Sequence, residues 1–174
     1  LLIARTGRSI ISDIDDTVKI THVTDRKRMM EATFAKPFEA VPGLARVYQT
    51  WASEGATVHF ISSSPWHLYE LLDVFLRDAG FPIATMELKQ IRLKDRSIQN
   101  LFADATKTKP PAIERLLQAY PQRTFTLIGD SGEKDPEIYA DMLRRLAQWV
   151  DVRVYALNPC QEYWFEIVEP RTRS

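Results

Sequence analysis

A short apolar run, Ile10-Ile11, breaks off into three closely spaced carboxylates, Asp13, Asp15 and Asp16. Few folds accept such a stretch. β-Branched residues in a short apolar run suit a strand covered on both faces, whereas like charges crowded at its end are costly unless something compensates them. In open α/β sheets, ligands bind just beyond the carboxyl ends of the strands, which is where these residues fall. A divalent cation is a natural counterweight, because carboxylate and carbonyl oxygens are the hard ligands that Mg²⁺ prefers.

The rest of the chain supplies the sheet. Thr57 to Ile61, Thr85 to Leu88, Thr124 to Ile128 and Val152 to Leu157 read as further strands. Between them lie helical patterns. Leu68, Leu71, Leu72, Phe75 and Leu76 recur at helical spacing, and Gly80 follows to close that helix. Pro42 to Trp51 carries Leu44, Val47, Tyr48 and Trp51 on one face. Ile113, Leu116, Leu117 and Tyr120 follow Pro110 and Pro111, which suit a helix start. Asp135-Pro136 opens a last helix through Ile138, Met142, Leu143, Leu146 and Trp149. Strands alternating with helices predict an α/β fold: a three-layer, Rossmann-like, mainly parallel sheet with helices on both faces. The length suits a single domain over residues 1–174. Residues 18–41 are the least regular part and carry Arg26-Lys27-Arg28, Met29, Met30, Phe34 and Phe38. That stretch reads as a small flap, with no room before the next motif for a large cap domain.

Composition narrows the partners. Lysine plus arginine equals aspartate plus glutamate at 23 each, so no global field favours nucleic acid. Cys160 stands alone, which excludes an internal disulfide and a cysteine-rich zinc site. No apolar run reaches the roughly 20 residues that span a bilayer. The expected location is cytoplasmic or peripheral to a membrane, although a chain opening at Leu1 can have lost targeting information.

Three later motifs fall at predicted strand ends or before a predicted helix. Phe60-Ile61 runs into Ser62-Ser63-Ser64-Pro65-Trp66, a hydroxyl-rich turn able to bind an anion. Lys109 precedes Pro110-Pro111. Leu127-Ile128 runs into Gly129-Asp130-Ser131-Gly132-Glu133-Lys134-Asp135, a second acidic strand end. An aspartate pair, a hydroxyl, a lysine and another acidic loop, in that order on a parallel sheet, form a set suited to phosphoryl transfer. Taken alone, each piece has a plainer reading: Asp-x-Asp as a solvated loop, Asp130 with Asp135 as a turn and helix cap, Ser63 and Ser64 as turn formers. Their order and placement favour a site.

The pattern resembles the haloacid dehalogenase (HAD) superfamily of aspartate-nucleophile phosphotransferases. Asp13-x-Asp15-x-Thr17 matches its first motif, Ser62 its second, Lys109 its third, and Gly129-Asp130-x4-Asp135 its fourth. The strings Asp-Ile-Asp-Asp-Thr-Val-Lys, Ser-Ser-Ser-Pro-Trp and Ile-Gly-Asp-Ser-Gly-Glu-Lys-Asp-Pro-Glu-Ile-Tyr are similar to the catalytic domain of actin-patch-type phosphatidate phosphatases. The resemblance implies Asp13 as nucleophile and Asp15 as the acid and then base, with a pKa raised by a neighbouring carboxylate. It implies Mg²⁺ on Asp13, the Asp15 carbonyl and Asp130. Ser62, Ser63 and backbone amides would bind phosphate, with Lys109 supplying charge. Thr17 and Asp135 would support these groups, Asp135 by orienting Lys109 or a metal-bound water. Asp16 reads as structural, and His22, His59 and His67 as non-catalytic. The implied substrate is a phosphomonoester, phosphatidate first, at a membrane surface if it is lipid. The alternatives are a soluble small molecule or phosphopeptide, and a module that binds phosphate or protein without turnover.

Overall fold

The computed structural model describes residues 2–20, 38–89, 105–130, 152–158 and 163–167, with side chains placed for 2–20, 38–89 and 109–129. The elements are β1 (Gly7–Ser12), β2 (Lys19–Ile20), β3 (Glu39–Ala40), α1 (Leu44–Ser53), β4 (Thr57–Pro65), a 3₁₀ turn (Trp66–Leu68) and α2 (Tyr69–Asp78). They continue with β5 (Ala84–Lys89), α3 (Ala105–Ala119), β6 (Arg123–Asp130), β7 (Val152–Asn158) and β8 (Tyr163–Ile167). Six strands form one sheet in the order β5-β4-β1-β6-β7-β8, parallel except for the β7–β8 pair.

Alternation along the strands builds two cores. Ile10, Val58, Phe60 and Ile128 point to the face covered by α1 and α2, where they meet Leu44, Tyr48, Leu72, Phe75 and Leu76. Ile11, Ile61, Phe125 and Leu127 point the other way, onto Ala112, Ile113 and Leu117 of α3. The described residues thus form the three-layer α/β arrangement that strand and helix periodicity predicted. Gly80 does close α2: at φ 82° its N–H bonds the Arg77 carbonyl and the Phe81 N–H bonds that of Leu76, a Schellman ending that favours glycine.

The α3 start is a correction. The helix begins at Ala105, so Pro110 and Pro111 lie inside it and do not open it. A proline within a helix forfeits a hydrogen bond and costs about 3 kcal/mol. Contact with the sheet offsets this, since Lys109, Ala112 and Ile113 are all buried. The predicted helix through Ile138 and Trp149, the Asp135 loop and most of the flap (21–37) lie outside the described residues.

At the amino edge, opposite the acidic strand end, Arg123 of β6 is buried and fastens the chain's first turns. Its guanidinium donates to the carbonyls of Ala4, Thr6 and Arg8, to Ser9 Oγ and to Thr57 Oγ1. Ser9 Oγ in turn lies 3.1 Å from His59 Nε2, whose Nδ1 is 2.7 Å from Thr85 Oγ1. His59 thus ties β4 to β1 and β5 at this edge. Burial first, and the Arg123 charge second, push its pKa down to about 4. The unfolded chain, with an ordinary value near about 6.5, takes up the proton first as pH falls. Stability from this group is complete above the unfolded value and is lost as pH drops through the folded one. Urea unfolding at pH 5 should give a free energy about 2 kcal/mol below that at pH 7 on this account, and His59→Gln should remove that share of the difference.

Candidate active site

Register sets the site. β1 lies between β4 and β6, with Ser12 paired to Phe60 on one side and Ile128 on the other. The Asp13 N–H continues the ladder by donating to the Ile128 carbonyl at 2.9 Å. Asp13 therefore leaves the sheet level with the ends of its neighbours, one carrying Ser62 and the other ending at Asp130. Tyr48 of α1 donates to Ser12 Oγ at 2.7 Å, and Ser12 donates to the Asp13 carbonyl at 2.8 Å. The backbone of Asp13 is thus held from both sides.

Past Asp13 the chain makes a tight turn. The N–H groups of Val18 and Lys19 both donate to the Ile14 carbonyl, and Asp16 N–H donates back to Lys19. Asp16 takes φ 52° to permit this. Aspartate tolerates that left-handed region better than most residues, so its predicted structural role has a geometric reason. Ile14, Thr17 and Val18 are buried beneath the turn, and Thr17 Oγ1 has no hydrogen-bond partner among the described residues.

Among the described residues, two ion pairs, one fully and one partly buried, dominate the electrostatics of the site. Lys109 Nζ lies 3.0 Å from Asp13 Oδ1, with both side chains at least 98% buried (2% and 1% exposed). Lys19 Nζ lies 2.6 Å from Asp15 Oδ1. The other Asp15 oxygen accepts hydrogen bonds from Ser62 and Ser64, each at 2.9 Å. Ser62 Oγ also receives the Ser64 N–H. A register shift between Ser62 and Pro65 in the β4–β5 pairing bends this turn out of the ladder, as bulges near active sites do. Ser63, half-buried, lies within it.

The Asp15 environment differs from expectation. Burial raises its pKa, but the Lys19 charge and hydrogen bonds from Lys19, Ser62 and Ser64 outweigh that and leave it lowered. The expected upward shift from a neighbouring carboxylate is not what this structure has. Ser62, expected on phosphate, donates here to Asp15. The Lys19 contact was missed in the sequence. Its signal was present as a lysine four residues beyond Asp15, but such spacing is more often a solvated pair than a buried one.

The donors that could hold a metal are hard oxygens, which fits Mg²⁺: the Asp13 carboxylate, the Asp15 carbonyl and Asp130, whose backbone stands at the end of β6 and whose side chain is outside the described set. Among the described residues, no group of three histidine, cysteine, aspartate or glutamate side chains is arranged to hold a metal. Trp66, at the start of the 3₁₀ turn, is 53% exposed and packs on Tyr69 with centroids 4.9 Å apart.

Comparison with known proteins identifies the family. The family described as "Phosphatidate phosphatase APP1, catalytic domain" matches residues 8–155. The chain belongs to that family. Its fold is HAD-like. An uncharacterised protein of Schizosaccharomyces pombe is 36% identical over 142 residues, covering 79% of this chain and 23% of that protein. Phosphatidate phosphatase APP1 of Saccharomyces cerevisiae is 34% identical over 138 residues, covering 76% of this chain and again 23% of the relative. The chain thus spans about a quarter of the length of these relatives. Among solved structures, the HAD domain of effector protein Lem4 from Legionella pneumophila aligns with TM-score 0.57 at 11% identity, over 90% of this chain and 89% of that one. The APP1 family match extends past Tyr139 into β7, further than the sequence motifs carried the resemblance.

Removing one member of a buried ion pair typically costs about 3–5 kcal/mol. Lys109→Met should destabilise the domain by that order in denaturant unfolding with excess chelator, which keeps any cation from replacing the ammonium. Adding Asp13→Asn should restore part of the loss.

Proposed function

We propose that the domain hydrolyses phosphomonoesters through a phosphorylated Asp13, with phosphatidate as the favoured substrate. The observation carrying this reading is the buried Asp13–Lys109 contact at the carboxyl end of β1, between the strand that carries Ser62 and the strand that ends at Asp130. The substrate follows from likeness to the yeast phosphatase. The half-exposed Trp66 beside the serine turn suits an apolar substrate or surface. Among the described residues no helix is long and apolar enough to cross a membrane, so lipid would be met at an interface.

Asp13 Oδ attacks phosphorus, and the bond from phosphorus to the leaving oxygen breaks. Asp15, ionised in the free site, takes up a proton from solvent as the ester binds and gives it to that oxygen. Water then attacks the acyl-phosphate, Asp15 takes the water's proton, and phosphate leaves with the Asp13 carboxylate restored. Ser62 would turn from Asp15 to a phosphoryl oxygen, and that exchange removes one donor holding Asp15 ionised. Ser63 would add a second polar group to the same anion. Lys109 supplies positive charge where negative charge develops. Thr17 and Asp135 would brace these groups. Asp13, the Asp15 carbonyl and Asp130 would hold Mg²⁺, which when bound offsets the repulsion between an anionic ester and an anionic nucleophile. Residues 18–41 would form the flap; antiparallel pairing of β2 with β3 brings the two ends of 21–37 together.

A soluble phosphoester is the second reading, since Trp66 is the one described residue beside the site that this reading of a lipid substrate draws on. Turnover should be assayed on phosphatidate in mixed micelles and on a panel of soluble phosphomonoesters. Asp13→Asn should abolish turnover, and Asp15→Asn should lower it by about 10²–10⁴-fold. Excess EDTA should stop the reaction and added Mg²⁺ restore it. Near-wild-type activity of Asp13→Asn, free of contaminating phosphatase, would remove Asp13 as nucleophile. Full activity in chelator would remove the metal.

A further inference from the structure

A lysine side chain only 6% exposed needs compensation, because an ammonium loses its hydration on burial. Two described contacts help to supply it for Lys19. Its Nζ lies 2.6 Å from Asp15 Oδ1 and 4.5 Å above the Phe38 ring centre, within cation–π range. Its backbone is equally constrained, with its N–H on the Ile14 carbonyl, its carbonyl taking the Asp16 N–H, and its strand paired to β3. Asp15 is consequently gripped through both oxygens, by Lys19 on Oδ1 and by Ser62 and Ser64 on Oδ2. A carboxylate held through one oxygen can pivot about its last torsion. Held through both, it cannot.

We propose that Lys19 is a positioning residue for Asp15, fixing together with Ser64 the carboxylate that carries the proton after Ser62 has turned to the phosphoryl group. This rests on the reading of Asp15 as proton carrier. Lys19 need not touch substrate. Its contribution is the orientation of another group, and misplacing a reacting group by about 1 Å can cost about 10²-fold.

The leaving group separates positioning from mere support of the fold. An alkoxide must be protonated as it departs, whereas p-nitrophenolate leaves without a proton. Pre-steady-state release and the turnover that follows should be measured with excess substrate for p-nitrophenyl phosphate and for the best alkyl phosphomonoester from the substrate panel, using wild type, Lys19→Met, Lys19→Arg, Ser64→Ala and Asp15→Asn. Lys19→Met should slow alkyl release by about 10²-fold with KM little changed. It should leave the nitrophenolate burst within about threefold of wild type, followed by slow turnover, because hydrolysis of the intermediate still needs the base. Lys19→Arg should recover most of the alkyl rate. Ser64→Ala should give the same split more weakly, and decides the matter if Lys19→Met fails to fold by thermal melting. Equal losses on both substrates in folded Lys19→Met, or in Ser64→Ala where Lys19→Met is unfolded, while Asp15→Asn shows the split, would overturn the role of Lys19. Equal losses in Asp15→Asn itself would instead overturn the reading of Asp15.

Discussion

Buried carboxylates at the end of a buried strand persist as anions only if cations are buried with them. Lys109 beside Asp13 and Lys19 beside Asp15 meet that requirement, one from far along the sequence and one from close by. One comes from a helix on the far face of the sheet, the other from the turn that follows β1. Much of the surrounding architecture serves these two contacts. α3 carries two prolines in its interior yet buries Lys109, and the turn from Ile14 to Lys19 accepts a left-handed aspartate to bring Lys19 back over Asp15. Loss of ordinary helix and turn geometry is tolerated where it brings charge to the site.

The parallel order of the sheet turns those pairs into one place. Because β4, β1 and β6 run the same way with fixed register, residues that follow their apolar runs emerge side by side although more than a hundred positions separate Asp13 from Asp130. The bulge after Ser62 then aims two hydroxyls at Asp15. Rigid strands therefore carry the backbone, and short irregular turns at their ends aim the polar side chains.

Much of the sheet was legible in the chain. β1, β4, β5, β6 and β7 are apolar runs bounded by turn residues, and α2 has a clean helical period with a glycine at its end. β2 and β3 were not legible, since two-residue strands have no period to detect. β8, Tyr-Trp-Phe-Glu-Ile, was overlooked despite aromatic and β-branched residues that favour strands. The α3 start was misread because proline is a strong local signal, and here tertiary burial overrides it. At the site, Asp13, Asp15 and Ser62 were singled out at strand ends and Lys109 before a helix, and the structure brings Lys109 to Asp13 and Ser62 to Asp15. The state of Asp15 was not legible. Its neighbours were judged by sequence proximity, which offered Asp13 and Asp16, whereas the fold brings Lys19, Ser62 and Ser64 against it.

Arg123 and the acidic turn occupy opposite edges of the same strands. Gly7, beside that guanidinium, sits at φ 113°, a backbone conformation that residues with a side chain rarely adopt. Inherited or engineered changes in this domain should therefore divide by edge. Those at Gly7 or Arg123 would alter how much protein a cell retains, since small losses of stability change abundance several-fold, while each surviving molecule kept its chemistry. Those around Asp15 would do the reverse. A cell's protein level, set against the activity of each molecule, would then tell which edge a variant had damaged.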